Sequence, residues 1–547
     1  MTARLSPAVC VAWCVTALLM GAHPSPRSAS AAPPDLILTG GKIFTADSTH
    51  PWAEAIAIRG ERIVAVGTNA DVHRLGQGAT REIALHGRVV IPGINDAHDH
   101  LGDVPVGVDV RTSAEPTPDP GAVQVIDSIR AVAARVPAGT WIKVTIGLSV
   151  LSDTTVRRAV LDRVAAGRPV LLWTWWGHGA ILNTAGLRAL GIDESAADPL
   201  GGWYERDVSG RLTGAMYEYA EWSALRRLYS TGSERALVDG LRAYADSAIL
   251  LGVTTVQDMA GLVTPTLTVR AFRDADLPMR VRLIRWSNPN ASGRNEAEWD
   301  TVPARVSPWV VVSGRKWVLD ATPIEENALM RRPYPGRPGW YGRLNFPLDT
   351  IRAMLRDALR PGAAQLALHI VGDSTGALVI DAMEALAPDS VWRPLRVRFE
   401  HGGGIAGAQI ARARRLGIII SQPRPEGAPL RSWLEAGLTV AYGSDMLRNP
   451  YYHLMIAVTE PTAPDQAISR EAAVTILTRG SAYAEFAEHE KGTLAPGMLA
   501  DLAVLSQDVF TVPAAALPAT TSVLTIVGGR IVHDQLSHTT STGVSEH

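Results

Sequence analysis

Cysteine is almost missing from this chain. Its 547 residues include two, Cys10 and Cys14, and both fall in an N-terminal stretch that reads as a removable signal peptide. Arg4 gives that stretch a positive start. Residues 8–22 are apolar but too short to span a bilayer comfortably, and Ala29-Ser30-Ala31 fits an A-x-A cleavage site. The expectation is a signal peptide over residues 1–31, cleavage near Ala31, and export to a periplasm or out of the cell. No stable membrane span is expected after cleavage. The processed chain then has no thiol, which excludes disulfides, a thiol nucleophile and a thiolate metal site. Any metal falls to His, Asp, Glu or a modified Lys.

Charge of one sign is also missing. Lys and Arg number 52 against 54 Asp and Glu, for a formal net charge of −2, and no long basic or acidic run breaks the mixture. Nucleic acid and anionic membrane surfaces are therefore excluded as partners. A small-molecule substrate is the expectation, and homo-oligomerisation stays open. Aromatic residues are few, at 6%, yet 15 of them are Trp. Trp173, Trp175 and Trp176 cluster in one stretch, where they form either an apolar wall or ordinary core.

What is present suits a globular protein with many turns: 46% apolar residues, 49 Gly and 36 Pro. Short strand-like runs open the chain after the signal. "AEAIAIRGERIVAVG" alternates on both sides of Arg59-Gly60-Glu61 and predicts a hairpin. The far end mirrors it, with a strand in "LADLAVL" and a second hairpin in "VLTIVGGRIVHD". The two ends, 32–88 and 491–536, predict one small β-sandwich, and the polar residues 537–547 predict a disordered tail.

Between them, over 89–490, apolar strand-like runs alternate with helical stretches. Runs at 89–93, 253–258, 279–285, 316–320, 365–370, 396–401, 417–422 and 439–445 supply the eight strands of a (β/α)8 TIM-like barrel. An open doubly wound sheet is the alternative. The stretch from about 101 to 246 does not fit the count and reads as an insertion after strand one.

Polar residues gather at the C-terminal ends of those runs, where barrels of this kind place their chemistry. "VVIPGINDAHDH" ends strand one, and His98 and His100, two apart, point to one side of an extended backbone. Lys316 lies in strand four, His369 ends strand five in "ALHIVGD", Glu400 and His401 end strand six in "RFEHGGG", and Asp445 ends strand eight in "AYGSD". Each alone has an ordinary explanation: a solvated histidine pair, a core imidazole, a snorkelling lysine, a helix N-cap. Together they form a donor set suited to Zn²⁺ and similar ions.

The order of these motifs resembles the metal-dependent amidohydrolase superfamily, and within it amidohydrolase family 3, which includes the N-substituted formamide deformylase-like proteins. "IPGINDAHDH", "GHGAILNTAGL", "RKWVLDATP", "LALHIVGD", "VRFEHGG", "AYGSDM" and "KGTLAPGMLADLAVLSQD" carry the resemblance. It implies that His98 and His100 bind one metal, that Lys316 is N6-carboxylated and bridges two, and that His369 and His401 bind the second. Asp445 is then a metal ligand and the catalytic proton carrier. His178, in the insertion, either contacts the substrate carbonyl or holds its own turn. The implied activity is hydrolysis of a C–N bond in a small amide, formamide or cyclic amide. An ester or lactone hydrolase, and a non-catalytic binding or regulatory barrel, stay open as alternatives.

Overall fold

The computed structural model describes residues 32–115, 117–446 and 449–539. The signal-peptide reading of 1–31 thus lies outside the described residues. No helix among the described residues is long and apolar enough to cross a membrane.

Eight parallel strands form the central sheet: Ile94–Asp99, Val253–Ala260, Arg280–Trp286, Val310–Val318, Leu366–His369, Arg398–Glu400, Ile419–Gln422 and Thr439–Tyr442, in chain order around the sheet. They are called barrel strands one to eight below. The first and last meet where the chain leaves strand eight and runs alongside strand one. Asp445 N–H donates to His98 O at 2.8 Å, and Ser444 N–H donates to Asp96 Oδ1 at 2.9 Å. The sheet therefore curls into a barrel, and the open doubly wound alternative falls away.

Strand one differs from its sequence reading. The run placed at 89–93 forms Val89–Pro92, which belongs to the sandwich; the barrel strand starts at Ile94. A continuous apolar run is buried on both faces in either sheet, so periodicity alone does not separate the two. Gly93 marks the switch. A side chain there would meet Thr254 Oγ1 at 2.1 Å, so only a glycine lets the chain leave one sheet and press against strand two.

Both ends of the chain build the sandwich. One sheet runs in the order Arg62–Gly67, Ala55–Arg59, Leu36–Thr39 and Arg81–Ala84. The other runs through Lys42–Phe44, Val89–Pro92, Leu502–Leu505, Ser522–Val527 and Arg530–Asp534, with Trp52–Ala53 at its edge. The hairpins at Gly60 and at Gly528-Gly529 are both present. Leu38, Ile56, Val90, Leu502 and Ile526 close the core between the sheets, which buries apolar surface that neither terminus could cover alone. The polar tail differs at its start: Leu536–Thr539 is a short helix, and Ser537 N–H donates to Asp534 Oδ1 at 3.0 Å. The rest of the tail lies outside the described residues.

The insertion after strand one folds around its own six-stranded mixed sheet, from Val108–Val110 through Ile142–Ile146, Val170–Thr174 and Ala180–Leu182 to Leu212–Glu218 and Gly202–Arg206. Its end differs from the sequence reading of 246. Helix Glu234–Leu250 packs on helix Pro265–Ala275 and on strand two, and so belongs to the barrel's outer ring. Its buried Leu237, Leu241, Tyr244 and Ala248 recur every three or four residues, as a barrel helix requires.

Candidate metal centre

Strand one delivers His98 and His100 as the two-residue spacing predicts. His98 is buried, and its Nε2 lies 3.3 Å from His100 Nε2. Lys316, also buried, projects from strand four and places Nζ 3.1 Å from His98 Nε2 and 3.3 Å from His100 Nε2. Asp445 Oδ1 stands 3.7 Å from His98 Nε2 and 3.5 Å from His100 Nε2, while Oδ2 stands 3.8 Å from His401 Nε2. The His369 and His401 rings are 4.4 Å apart, and His98 and His401 are 5.4 Å apart. Six residues from five strand ends therefore converge, as side chains expected from the sequence alone.

Local backbone explains two of the placements. His401 has φ 69° and Asp445 φ 42°, values an L-residue adopts at a cost of about 1–3 kcal/mol each. The left-handed turn at His401 brings its ring to the same side as Glu400, although neighbours on a strand face opposite ways. Gly443 lets strand eight close on strand one: a side chain there would meet His98 Cβ at 2.5 Å.

Charge and hydrogen bonding suit these groups to a divalent cation. Burial, reinforced by neighbouring positive groups, pushes His369 and His100 well below the usual imidazole range. Burial also pushes His401 down to about 3 and Lys316 down to about 8. Burial would raise Asp445, yet the charges of His98, His401, His100 and Lys316 hold it well below the usual carboxylate range. His369 Nε2 is buried with no hydrogen-bond partner, which costs free energy unless something accepts its lone pair. Neutral imidazoles, a carboxylate and an amine of lowered basicity, all aimed at one point, meet what a metal asks of its ligands. The cluster of His98, His401 and Asp445 has ligand atoms within 4.8 Å of one another.

Glu400 was not among the residues singled out as ligands, and the structure gives it a different task. Its Oε2 accepts from His98 Nδ1–H at 2.7 Å, and Arg398 Nε donates to Oε1 at 2.8 Å. Burial opposes its ionisation, but Arg398 and His98 hold it well below the usual carboxylate range. With Nδ1 occupied as donor, the lone pair of His98 Nε2 faces the cluster. Proximity to His401 in "RFEHGGG" was the available signal.

Above the cluster lies a cavity of about 260 Å³ lined by Trp173, Trp176, Trp222, Trp286, Leu262 and Val318, together with the metal-centre groups. Trp173 and Trp176 serve as wall, while Trp175 stacks edge-on against Trp176. His178 lines the same cavity, its ring 5.0 Å from that of His369. Burial favours its neutral form, but the charge and hydrogen bond of Glu218 override this and raise it to about 9. The carboxyl of Glu325 accepts from Trp176 Nε1 at 2.7 Å and is pushed up to about 7 by burial.

A family profile described as "Amidohydrolase family" matches residues 81–533. The chain belongs to the amidohydrolase family. This amidohydrolase is therefore a hydrolase of carbon–nitrogen bonds built on a TIM-like barrel. It is 27% identical over 522 residues to Protein LONG AFTER FAR-RED 3 of Arabidopsis thaliana, covering 86% of this chain and 87% of that protein. It is 26% identical over 516 residues to N-substituted formamide deformylase of Arthrobacter pascens, covering 87% and 94% respectively. Among solved structures, an uncharacterized metal-dependent hydrolase from Pyrococcus furiosus superposes with a TM-score of 0.65 at 21% identity, covering 87% of this chain and all of that one.

Proposed function

We propose that this amidohydrolase hydrolyses small, uncharged N-substituted amides or formamides that carry an aromatic or bulky apolar group. The observation that carries the reading is the donor cluster of His98, His100, Lys316, His369, His401 and Asp445 at the floor of a cavity walled by tryptophans. Trp173, Trp176, Trp222 and Trp286 favour a planar apolar group. No arginine lines the cavity among the described residues, so a substrate carboxylate finds no bidentate partner there. The relative from Arthrobacter pascens, by its name an N-substituted formamide deformylase, supports the same substrate class.

His98, His100, Lys316, His369, His401 and Asp445 are the residues that hold the metal, one ion or two, with Zn²⁺ the ion that best matches the imidazole-rich set. Bound there, a divalent metal polarises the substrate carbonyl and lowers the pKa of its water from ~15.7 to roughly 7. Asp445 accepts the proton released as water attacks the carbonyl carbon, then returns it to the nitrogen as the C–N bond breaks. His178 donates from Nε2 to the carbonyl oxygen as negative charge builds there. The tryptophan walls exclude bulk water and set the amide against Asp445. Lys316, its amine pushed down to about 8 by burial, is uncharged often enough near neutral pH for Nζ to attack CO2; the N–C bond forms as a C=O π bond opens and Nζ releases a proton to water, leaving a carbamate that would offer the metal an oxygen donor. Export belongs to the same proposal: residues 1–31 read as a signal peptide, which would carry the activity outside the cytoplasm.

The test is a hydrolysis screen on full-length protein of known metal content. N-formyl arylalkylamines are expected to be cleaved, with activity lost to chelator and restored by Zn²⁺. Preference for N-acyl amino acids would refute the substrate class, and preference for lactones would assign the centre to ester chemistry. A metal-free protein indifferent to chelator would remove the reading altogether.

A further inference from the structure

His178 comes from the insertion, and no barrel strand dictates where its ring goes. Glu218 does. This residue ends strand Leu212–Glu218 and directly precedes helix Tyr219–Tyr229. It is fully buried, at φ 55° and ψ −131°, a conformation that glycine adopts freely and glutamate does not. A turn chosen for shape alone would place glycine there. One carboxyl oxygen accepts from His178 Nδ1–H at 2.8 Å, and the other accepts from Asn345 Nδ2 at 2.7 Å.

Asn345 in turn ties this pair to the barrel. Its Nδ2 also donates to Val318 O at 3.2 Å, and its backbone N–H donates to Leu319 O at 2.7 Å. The next residue after Glu218 repeats the connection: Tyr219 Oη accepts from Val318 N–H at 2.9 Å. Val318 ends barrel strand four, the strand that carries Lys316. A single carboxyl thus grips the insertion's histidine and the barrel strand at once. Because Nδ1 is committed to Glu218, Nε2 is the His178 nitrogen left to face the cavity.

We infer that Glu218, braced by Asn345, is a positioning residue that fixes the ring angle of His178 so that Nε2–H meets the substrate carbonyl oxygen. The inference rests on the role proposed above for His178. Glu218 touches neither substrate nor metal and acts only through His178.

The experiment is a double-mutant cycle on the metal-loaded full chain with an N-formyl arylalkylamine. Glu218→Gln and His178→Ala are each expected to lower kcat by about 10- to 100-fold, with KM and bound metal unchanged. The double variant is expected to fall no further than His178→Ala alone, because the two losses are one loss. Additive losses, or loss of metal in Glu218→Gln, would overturn the inference. Should Glu218→Gln not fold, Asn345→Ala takes its place, with a kcat loss that vanishes once His178 is already alanine; a loss that persists there refutes the brace. A readout without turnover is nitrogen-15 NMR of histidine-labelled protein. His178 is expected to show a downfield Nδ1–H proton that Glu218→Gln removes, and a wild-type chain without that signal refutes the clamp. A chain that shows the signal and binds metal yet cleaves no amide would sink the hydrolase reading while leaving the clamp in place.

Discussion

Glu400 shows how much a candidate metal centre owes to residues outside its donor set. Its carboxylate sits between Arg398 and His98 Nδ1, and removing its charge frees the His98 ring to change tautomer. Glu400→Gln is expected to weaken metal affinity about 10- to 100-fold, read by competition with a chromogenic chelator, with little change in secondary structure by circular dichroism. The buried imidazoles carry a second consequence. His401 falls from 6.5 in an unfolded chain to about 3 when folded, and His369 and His100 are shifted the same way. Below pH 6.5 the unfolded chain binds protons that the folded chain refuses, so folding stability falls as pH drops toward 3. Each histidine contributes about 1.4 kcal/mol per pH unit to that slope. His178, raised to about 9, is protonated throughout this window when folded; its unfolded form is half protonated at pH 6.5, so it opposes the decline near that pH and adds almost no slope about one unit lower. Urea midpoints of metal-free protein between pH 6.5 and 4.5 are expected to fall steeply, and His401→Asn is expected to flatten the decline.

At the scale of elements, the decisive contact is the closure of strand eight on strand one. Asp445 hangs from His98 through a backbone hydrogen bond, and Ser444 hangs from Asp96. Both depend on Gly443, where an added methyl group would stand 2.5 Å from His98 Cβ. Gly443→Ala is expected to cost about 1–3 kcal/mol through overpacking and to displace His98 and Asp445 together. Thermal unfolding with metal analysis checks this: normal stability with normal metal content would show that the strands have room to part. The insertion's sheet is the other element that matters, because it supplies His178, Glu218 and the tryptophan wall. Its strand Val170–Thr174 is legible as the apolar run in "RPVLLWTWW". Its link to the barrel through Glu218 and Asn345 is not, since 127 residues separate the two partners and no local pattern joins them.

At the scale of the molecule, the sandwich is fastened to the barrel by an ion pair between a half-buried arginine and a buried aspartate. Arg280 at the start of strand three donates from Nε to Asp501 Oδ2 at 2.8 Å, and Asp501 Oδ1 also accepts from Gly528 N–H at 2.7 Å. Asp501→Ala leaves Arg280 without its partner and is expected to cost about 3–5 kcal/mol, read as a lowered unfolding midpoint. An unchanged midpoint would show that the apolar contact between the units holds them unaided.

Much of this arrangement was legible in the chain. Six of the eight barrel strands lie where the sequence shows apolar runs, because parallel strands buried on both faces are short and rich in apolar residues; strand four, expected at 316–320, instead spans Val310–Val318, its first half alternating between buried and half-buried positions. The two-residue spacing of His98 and His100 determined that their side chains share a face, and the order of motifs determined which rim residues accompany them. Local sequence could not decide that residues 89–92 join the sandwich, since both sheets demand the same buried run and only Gly93 against Thr254 tells them apart. Nor could it assign Glu218, Glu400 and Asn345. Their roles are set by hydrogen bonds between segments far apart in the chain, and such bonds exist only once the insertion, strand four and strand six have been brought together by folding.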